Sequence, residues 1–234
     1  MFGNSMSYYS FFDPTYIFII IGLVISVVAS INVNGSFKKY KKIKNRNNYT
    51  AEQAAEIILK DAGVYDVTIM KTSGSFTDHY DPRSKTVNLS DSVYGSRSLS
   101  AVGVAAHECG HAIQHANLYS PLSMRTAILP AASIGSKISI PLIVVGFIFS
   151  FIQLVYVGIV LFSLALLFQV VTLPVEFNAS KRALLALKTN SILYDDETAI
   201  AKKVLRAAAL TYVAAVIVTA LQLLRLILLA NRRS

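Results

Sequence analysis

Residues 106–112 read Ala-His-Glu-Cys-Gly-His-Ala, and this stretch decides both the fold and the chemistry that the sequence predicts. An α-helix rises about 1.5 Å and turns about 100° per residue, so His107 and His111 would point the same way, about 6 Å apart. One metal ion can then bind both imidazoles. Glu108 would flank the pair, where it can deprotonate a metal-bound water without being a ligand. This spacing is typical of the active-site helix of a zinc peptidase.

The residues around this motif favour a buried helix. They are small and mostly apolar from Ala101 to Ile113, and Ser98 or Ser100 is available as the N-cap. Two buried histidines on an ordinary helix are the alternative, because a pattern with three fixed positions also arises by chance. Buried imidazoles without a partner cost free energy, which favours the metal site.

The composition is too apolar for an ordinary soluble protein, with 54% hydrophobic residues and a mean hydropathy of +0.52. Residues 16–33 form a run long enough to cross the hydrocarbon core of a bilayer, which is about 30 Å thick. Residues 1–13 contain no lysine or arginine, and no clear cleavage site follows them. We therefore expect a retained membrane anchor at residues 1–37 rather than a removable signal peptide.

The net charge of +9 is concentrated beside the hydrophobic runs. The largest basic cluster directly follows the first run and comprises Lys38, Lys39, Lys41, Lys42, Lys44 and Arg46. Lysine and arginine are enriched on the cytoplasmic side of membrane spans, and this preference explains the cluster better than nucleic-acid binding. We do not expect nucleic-acid binding. Contact with anionic lipid headgroups is a secondary role for the cluster. The chain is thus predicted to enter the cytoplasm after Phe37, and the single cysteine, Cys109, agrees with a reducing compartment.

The cytoplasmic segment, residues 38–125, is predicted to be a small α+β unit that ends in the motif helix. Thr50 and Gln53 form a capping box that starts a short amphipathic helix, and Gly63 ends that helix. Three strands are predicted next, at residues 67–71, 76–80 and 85–89. We expect residues 86–89 to be a free sheet edge on which an extended peptide lies across the metal, an ordinary paired strand being the alternative.

Further apolar runs predict three more membrane spans. Residues 138–175 are uncharged, and one helix of that length would be about 57 Å long, so two spans fit better, near residues 128–149 and 152–173. The last span is predicted at residues 208–230. The expected fold is a mainly α membrane protein with about four transmembrane helices and a small cytoplasmic, zincin-like α+β unit. Its segments are an anchor (1–37), the α+β unit (38–125), a membrane hairpin (126–175), a cytoplasmic helical region (176–207) and a C-terminal membrane helix (208–234).

A catalytic zinc ion needs a third protein ligand besides the two histidines. His115 would lie about 12 Å along the helix from His107, too far for one ion to bind all three imidazoles. Two spans return the chain to the side of His107 just before Glu176, and a carboxylate at a membrane edge is costly without a partner. Glu176 is therefore the candidate. The alternative is a carboxylate at a helix start, paired with Lys181 or Arg182.

A family resemblance is carried by four stretches that are spread over most of the chain. They are residues 78–82 (Asp-His-Tyr-Asp-Pro), 107–115, 173–177 (Leu-Pro-Val-Glu-Phe) and 207–215 (Ala-Ala-Ala-Leu-Thr-Tyr-Val-Ala-Ala). In these stretches the chain resembles the putative neutral zinc metallopeptidases of bacterial membranes, often called YugP-like. It is more distantly similar to the HtpX and Ste24 membrane proteases.

The resemblance implies a gluzincin of the bacterial cytoplasmic membrane, and the basic cluster after the first apolar run predicts that its active site lies on the cytoplasmic side. In that class one Zn²⁺ would be bound by His107, His111 and Glu176, with Glu108 as general base. Many gluzincins place an aspartate four residues after the ligand glutamate to orient a histidine. Here Ser180 stands in that place, so Asn178 or Ser180 is the expected substitute.

Other roles are assigned only by residue type or by analogy. Candidates for stabilising transition-state charge or contacting substrate are His79, Tyr80, Tyr94 and Arg182, and His115 is expected to pack or hydrogen-bond just below the site. The implied partner is a polypeptide, misfolded or membrane-associated. Two other functions remain alternatives: a membrane scaffold or chaperone-like protein that keeps zinc for structure, and a small transporter or channel subunit.

Overall fold

The computed structural model describes residues 13–232. Residues 1–12 of the predicted anchor, and Arg233 and Ser234 at the other end, lie outside the described residues. Within the described part, six helices and three strands follow one another: α1 (Tyr16–Tyr40), α2 (Ala51–Asp61), β1 (Thr68–Thr72), β2 (His79–Asp81), β3 (Thr86–Ser90), α3 (Leu99–Ala116), α4 (Ser120–Ile148), α5 (Ile152–Thr189) and α6 (Asp195–Asn231). The fold is therefore mainly helical with one small sheet, as predicted.

Four of the described helices, α1, α4, α5 and α6, are long and apolar enough to cross a membrane, so the number of candidate spans equals the predicted number. Several apolar side chains of α1 are more than half exposed, as on a lipid-facing helix: Ile17, Ile20, Leu23, Val24, Val28 and Ile31. α4 and α5 form the predicted hairpin, with Ser150 at φ +54° in the bend between them. α5 then continues without a break from its apolar half through Glu176 to Thr189.

Short sequence signals fix the ends of the helices near the motif. The Thr50 hydroxyl accepts a hydrogen bond from the Gln53 backbone N–H, and the Gln53 side chain accepts one from the Thr50 N–H, which confirms the capping box. Gly63 follows the end of α2 at φ +70°. The Ser98 hydroxyl accepts from the backbone N–H of Ala101 at 3.2 Å and caps α3. The motif helix therefore begins where the sequence predicts.

The sheet has the strand order β1-β3-β2, and this order corrects two expectations. β3 is the central strand, parallel to β1 and antiparallel to β2, and its side chains are buried on both faces. The prediction that residues 86–89 form a free edge is therefore wrong, because both edges of β3 are paired. The strand predicted at residues 76–80 is shorter than expected, since Phe76 has a φ of +60°, outside the extended region, and β2 begins only at His79.

The main hydrophobic core surrounds α3. It combines side chains from α2, the sheet and α3 with others from the second half of α5 and the first turns of α6. Its largest fully buried members are Ile58, Leu89, Leu99, Leu187 and Ile192. The unit predicted at residues 38–125 thus shares its core with the region predicted at residues 176–207, and the division of the chain into segments stays a prediction. The shared core holds α3 against α5.

Candidate metal centre

Two helices bring the predicted metal ligands together. α3 carries His107 and His111 on one face, with their ring centroids 4.8 Å apart, and α5 supplies Glu176. The Oε2 atom of Glu176 lies 3.3 Å from Nε2 of His107 and 3.6 Å from Nε2 of His111. One potential ligand atom from each of the three residues lies within 4.8 Å of the others. The carboxylate that follows the membrane hairpin therefore lies beside the two imidazoles.

The spacing of these donor atoms fits a small tetrahedral cation. Zn²⁺ binds histidine nitrogen and carboxylate oxygen at about 2.0–2.2 Å, so neighbouring donors on a tetrahedron are about 3.3–3.6 Å apart. The two nitrogen-to-oxygen distances, 3.3 and 3.6 Å, fall at this spacing. Two imidazoles and one carboxylate are also a donor set of catalytic zinc sites, which leave a fourth position for water or substrate. The residues therefore suit Zn²⁺ in both distance and donor chemistry.

The centre attracts positive charge. Glu176 is buried, with 2% of its surface exposed, and a buried carboxylate needs charged or hydrogen-bonding partners. Besides the two histidines, the Nη1 atom of Arg125 lies 3.9 Å from its Oε1 atom. Burial opposes a charge on His111, but the hydrogen bond to Glu176 and the nearby charge of Glu108 outweigh it and raise the pKa of His111. A proton or a metal cation is stabilised by the same surroundings.

Gln114, which lies outside the motif, orients His111. Its Oε1 atom lies 3.1 Å from Nδ1 of His111, and its Nε2 atom donates to the carbonyl oxygen of Val175 at 2.8 Å and to Oδ1 of Asn178 at 3.0 Å. Because the amide nitrogen bonds two acceptors, the amide oxygen faces His111 and accepts a hydrogen bond from its Nδ1–H group, which leaves Nε2 directed at Glu176. This fully buried side chain ties α3 to α5 one residue before Glu176.

The two residues expected to replace the missing aspartate have different contacts. The hydroxyl of Ser180 lies 3.1 Å from Nδ1 of His107 and so contacts a candidate ligand directly. Asn178 instead accepts hydrogen bonds from Gln114 and from Nε of Arg182, the latter at 2.8 Å. Each candidate ligand histidine therefore has a hydrogen-bond partner behind it, as metal-binding histidines commonly do.

Replacing Ser180 by alanine is expected to weaken zinc binding about tenfold, the lower end of the range for lost partners of metal ligands, because a neutral hydroxyl is removed. The measurement is competition for zinc against a chromophoric chelator. Ser163→Ala is the matched control, since Ser163 is a half-buried serine of the same helix that bonds a local carbonyl and lies far before Ser180 in the sequence of α5. Equal zinc affinity of Ser180→Ala and wild type would show that the hydroxyl does not orient His107.

Glu108 is held by the edge strand β2. The backbone N–H of Tyr80 donates to Oε2 of Glu108 at 3.0 Å, and the Tyr80 hydroxyl lies 2.8 Å from Nδ1 of His115. Tyr80 thus contacts α3 twice, once at the motif carboxylate and once at the end of the helix. His115 bonds the strand rather than joining the cluster of donor atoms.

A cavity of about 350 Å³ opens beside His107, Glu108 and Glu176. Its other walls include Val33 and Asn34 from the second half of α1, Phe76 and Asp78 from the loop before β2, and Tyr212 of α6. The four residues proposed from type alone, His79, Tyr80, Tyr94 and Arg182, are not among the described residues that line it. His79 bonds the carbonyl oxygen of Thr77, and Tyr94 is 39% exposed.

Three residues of the centre were not identified from the sequence: Gln114, Arg125 and Tyr212. Gln114 follows His111 by three positions, and residues at that spacing share a helix face, so a search for partners on α3 can find it. Arg125 and Tyr212 reach the centre from other helices, and no spacing rule connects them to the motif. The one signal for Tyr212 is its place in the stretch 207–215, which carries part of the resemblance.

The fold and the centre define the chain as a membrane protein with a cluster of two half-buried histidines and a buried glutamate that suits zinc. The chain belongs to the family described as putative neutral zinc metallopeptidase, whose model matches residues 15–231, and the family resemblance is confirmed. It is similar to the putative membrane protease YugP of Bacillus subtilis (strain 168), with 41% identity over 215 residues that cover 92% of this chain and 96% of the relative. No solved structure matches the chain.

Proposed function

We propose that the chain is a membrane-embedded, zinc-dependent endopeptidase of the gluzincin type, acting at the cytoplasmic face of the membrane. The observation that carries this proposal is the convergence of His107, His111 and Glu176 at zinc-ligand spacing, with Glu108 at the flank and a cavity beside them. Family membership supports the same chemistry. One zinc ion per chain, bound by the two imidazoles and the carboxylate, is part of the proposal.

The chain's own residues would supply the proton transfers of peptide hydrolysis. A zinc ion bound in the centre would activate water and polarise the scissile carbonyl group. Glu108 takes a proton from the water while the oxygen of that water bonds to the carbonyl carbon. Glu108 then delivers this proton to the leaving nitrogen as the C–N bond breaks. The Tyr80 N–H holds Oε2 of Glu108, so Oε1 is the oxygen available for this transfer.

The position of the cavity favours polypeptide substrates close to the bilayer. Val33 and Asn34 lie near the end of the first membrane helix, and Tyr212 lies at the start of the last apolar run. The strand beside the motif carboxylate is β2, which has one paired and one outer edge. Residues 86–89 were first expected to be the edge that binds an extended substrate. We propose instead that the substrate pairs with residues 79–81, from which it can reach Glu108.

The basic cluster, which begins in the last turn of α1 and continues beyond it, supports the cytoplasmic placement of the centre. Its six lysines and arginines are exposed, and they lie towards the same half of α1 as Val33 and Asn34 of the cavity wall. In this orientation four spans would put Asp13 and Arg232 on the outer side, where positive charge is disfavoured. Arg232 fits there because its Nη1 atom pairs with Oδ1 of Asp13 at 3.0 Å, which offsets its charge. The other terminal arginine, Arg233, lies outside the described residues.

The proposal is tested by metal analysis and by cleavage of an unfolded polypeptide. Protein purified in detergent is expected to hold one zinc ion per chain and to cleave fluorescein-labelled casein. A zinc chelator is expected to stop cleavage, and added zinc to restore it, because the metal activates the attacking water. Zinc-loaded protein that cleaves neither casein nor an unfolded membrane protein would instead support the scaffold alternative.

A further inference from the structure

The stretch 207–215 contributes to the resemblance, yet the proposed ligands and general base leave it without a role. It lies on α6, and Tyr212 in this stretch lines the cavity together with His107, Glu108 and Glu176. The phenol of Tyr212 interacts electrostatically with the carboxylates of Glu176 and Glu108. A hydroxyl donor is therefore placed on the wall of the cavity next to both carboxylates.

Most other side-chain hydrogen-bond donors on the cavity wall are engaged elsewhere. The Asn34 amide donates to the carbonyl oxygen of Ser30 at 2.9 Å, and the Thr211 hydroxyl donates to that of Ala208 at 2.6 Å. The Ser180 hydroxyl is bonded to His107. Tyr212 differs from these three, because its phenol interacts with the carboxylates of both Glu176, the proposed ligand, and Glu108, the proposed general base.

Peptide hydrolysis needs such a donor. When the oxygen of water bonds to the carbonyl carbon, the carbonyl π electrons move to the carbonyl oxygen, which becomes negatively charged. Glu108 and Glu176 are acceptors and cannot stabilise that charge. A fixed O–H donor contributes most when it interacts with the transition state more strongly than with the substrate.

We propose that Tyr212 is a further catalytic residue, whose phenol O–H donates a hydrogen bond to the substrate's carbonyl oxygen as negative charge develops on it. This inference rests on the proposed peptidase function. It gives α6 a part in the chemistry, and it replaces the four candidates chosen by residue type, none of which lines the cavity within the described chain.

The test is the variant Tyr212→Phe, which removes one oxygen atom and keeps the ring. With labelled casein in detergent micelles, kcat is expected to fall about 10²-fold with little change in KM, the effect of losing one transition-state donor. Zinc content and thermal unfolding are expected to stay at wild-type values. Affinity for a phosphinic peptide, a tetrahedral anion that mimics the transition state, is expected to fall in parallel with kcat/KM.

Tyr156→Phe is the matched control, because Tyr156 lies on α5, 43% exposed and twenty positions before Glu176, about 30 Å along the helix. Wild-type kcat and phosphinate affinity in Tyr212→Phe would overturn the inference. So would a loss of zinc that accounts for the loss of cleavage, since the hydroxyl would then position Glu176. These results differ from failure of the proposed function, in which the wild-type protein itself does not cleave.

Discussion

Glu108→Gln is expected to lower the rate of peptide cleavage by about 10²–10⁴-fold, the contribution of a general base, while the protein keeps its zinc and its stability. The amide cannot accept the proton of the attacking water. Its oxygen can still accept the hydrogen bond from the Tyr80 N–H, which holds Glu108 at 3.0 Å, so the contact between β2 and α3 survives. The measurements are casein cleavage, zinc content and the temperature of thermal unfolding.

The control for this variant is Glu56→Gln, which removes the same charge from an exposed position of α2. It is expected to leave all three measurements unchanged. Substantial cleavage by zinc-loaded Glu108→Gln would assign the proton transfer to another group and remove Glu108 from the proposed mechanism. A protein that loses zinc instead would place Glu108 among the metal ligands.

Local features of the fold were predictable because they depend on neighbouring residues. The capping box at Thr50, the N-cap at Ser98 and the positive φ at Gly63 each follow from one side chain or one backbone constraint. The four long helices follow from the length of the apolar runs. The approach of Glu176 to the motif was also predictable, because a hairpin of two spans returns the chain to the side it left.

Features that depend on the order of distant elements were not predictable in the same way. The pattern of residues 86–90 fits an edge or a central strand equally well, and pairing with both β1 and β2 decides between them. Arg125 and Tyr212 reach the centre because α4 and α6 pack beside α5, and a sequence pattern within one helix carries no information about that packing. The candidates chosen by residue type alone are not among the described residues that line the cavity, for the same reason.

Gly110→Ala is expected to disrupt the metal centre, although Gly110 has no side chain that could bind the metal or the substrate. A Cβ atom at this position would lie 2.5 Å from the carbonyl oxygen of Ala179 and 3.1 Å from its Cα atom, so the obstacle is the backbone of α5. α5 must move away from α3, at a cost of about 1–3 kcal/mol for overpacking, and it carries Glu176 and Ser180 with it. A misplacement of about 1 Å lowers catalysis about 10²-fold, and we expect zinc content to fall as well.

The same helix provides the control that separates this steric effect from the preference of helices for alanine over glycine, which is about 1 kcal/mol. At Gly103 an added Cβ atom would meet the Cβ atom of Ala201 at 3.5 Å, an ordinary contact, so Gly103→Ala gains the helix preference without a clash. Its zinc content, cleavage and unfolding temperature are expected to equal or exceed those of wild type. The opposite outcome is that Gly110→Ala behaves like Gly103→Ala in zinc content, cleavage and unfolding temperature. That result would mean that α5 can move without shifting Glu176. The distance between the carboxylate and the imidazoles would then not depend on the contact between the two helix backbones.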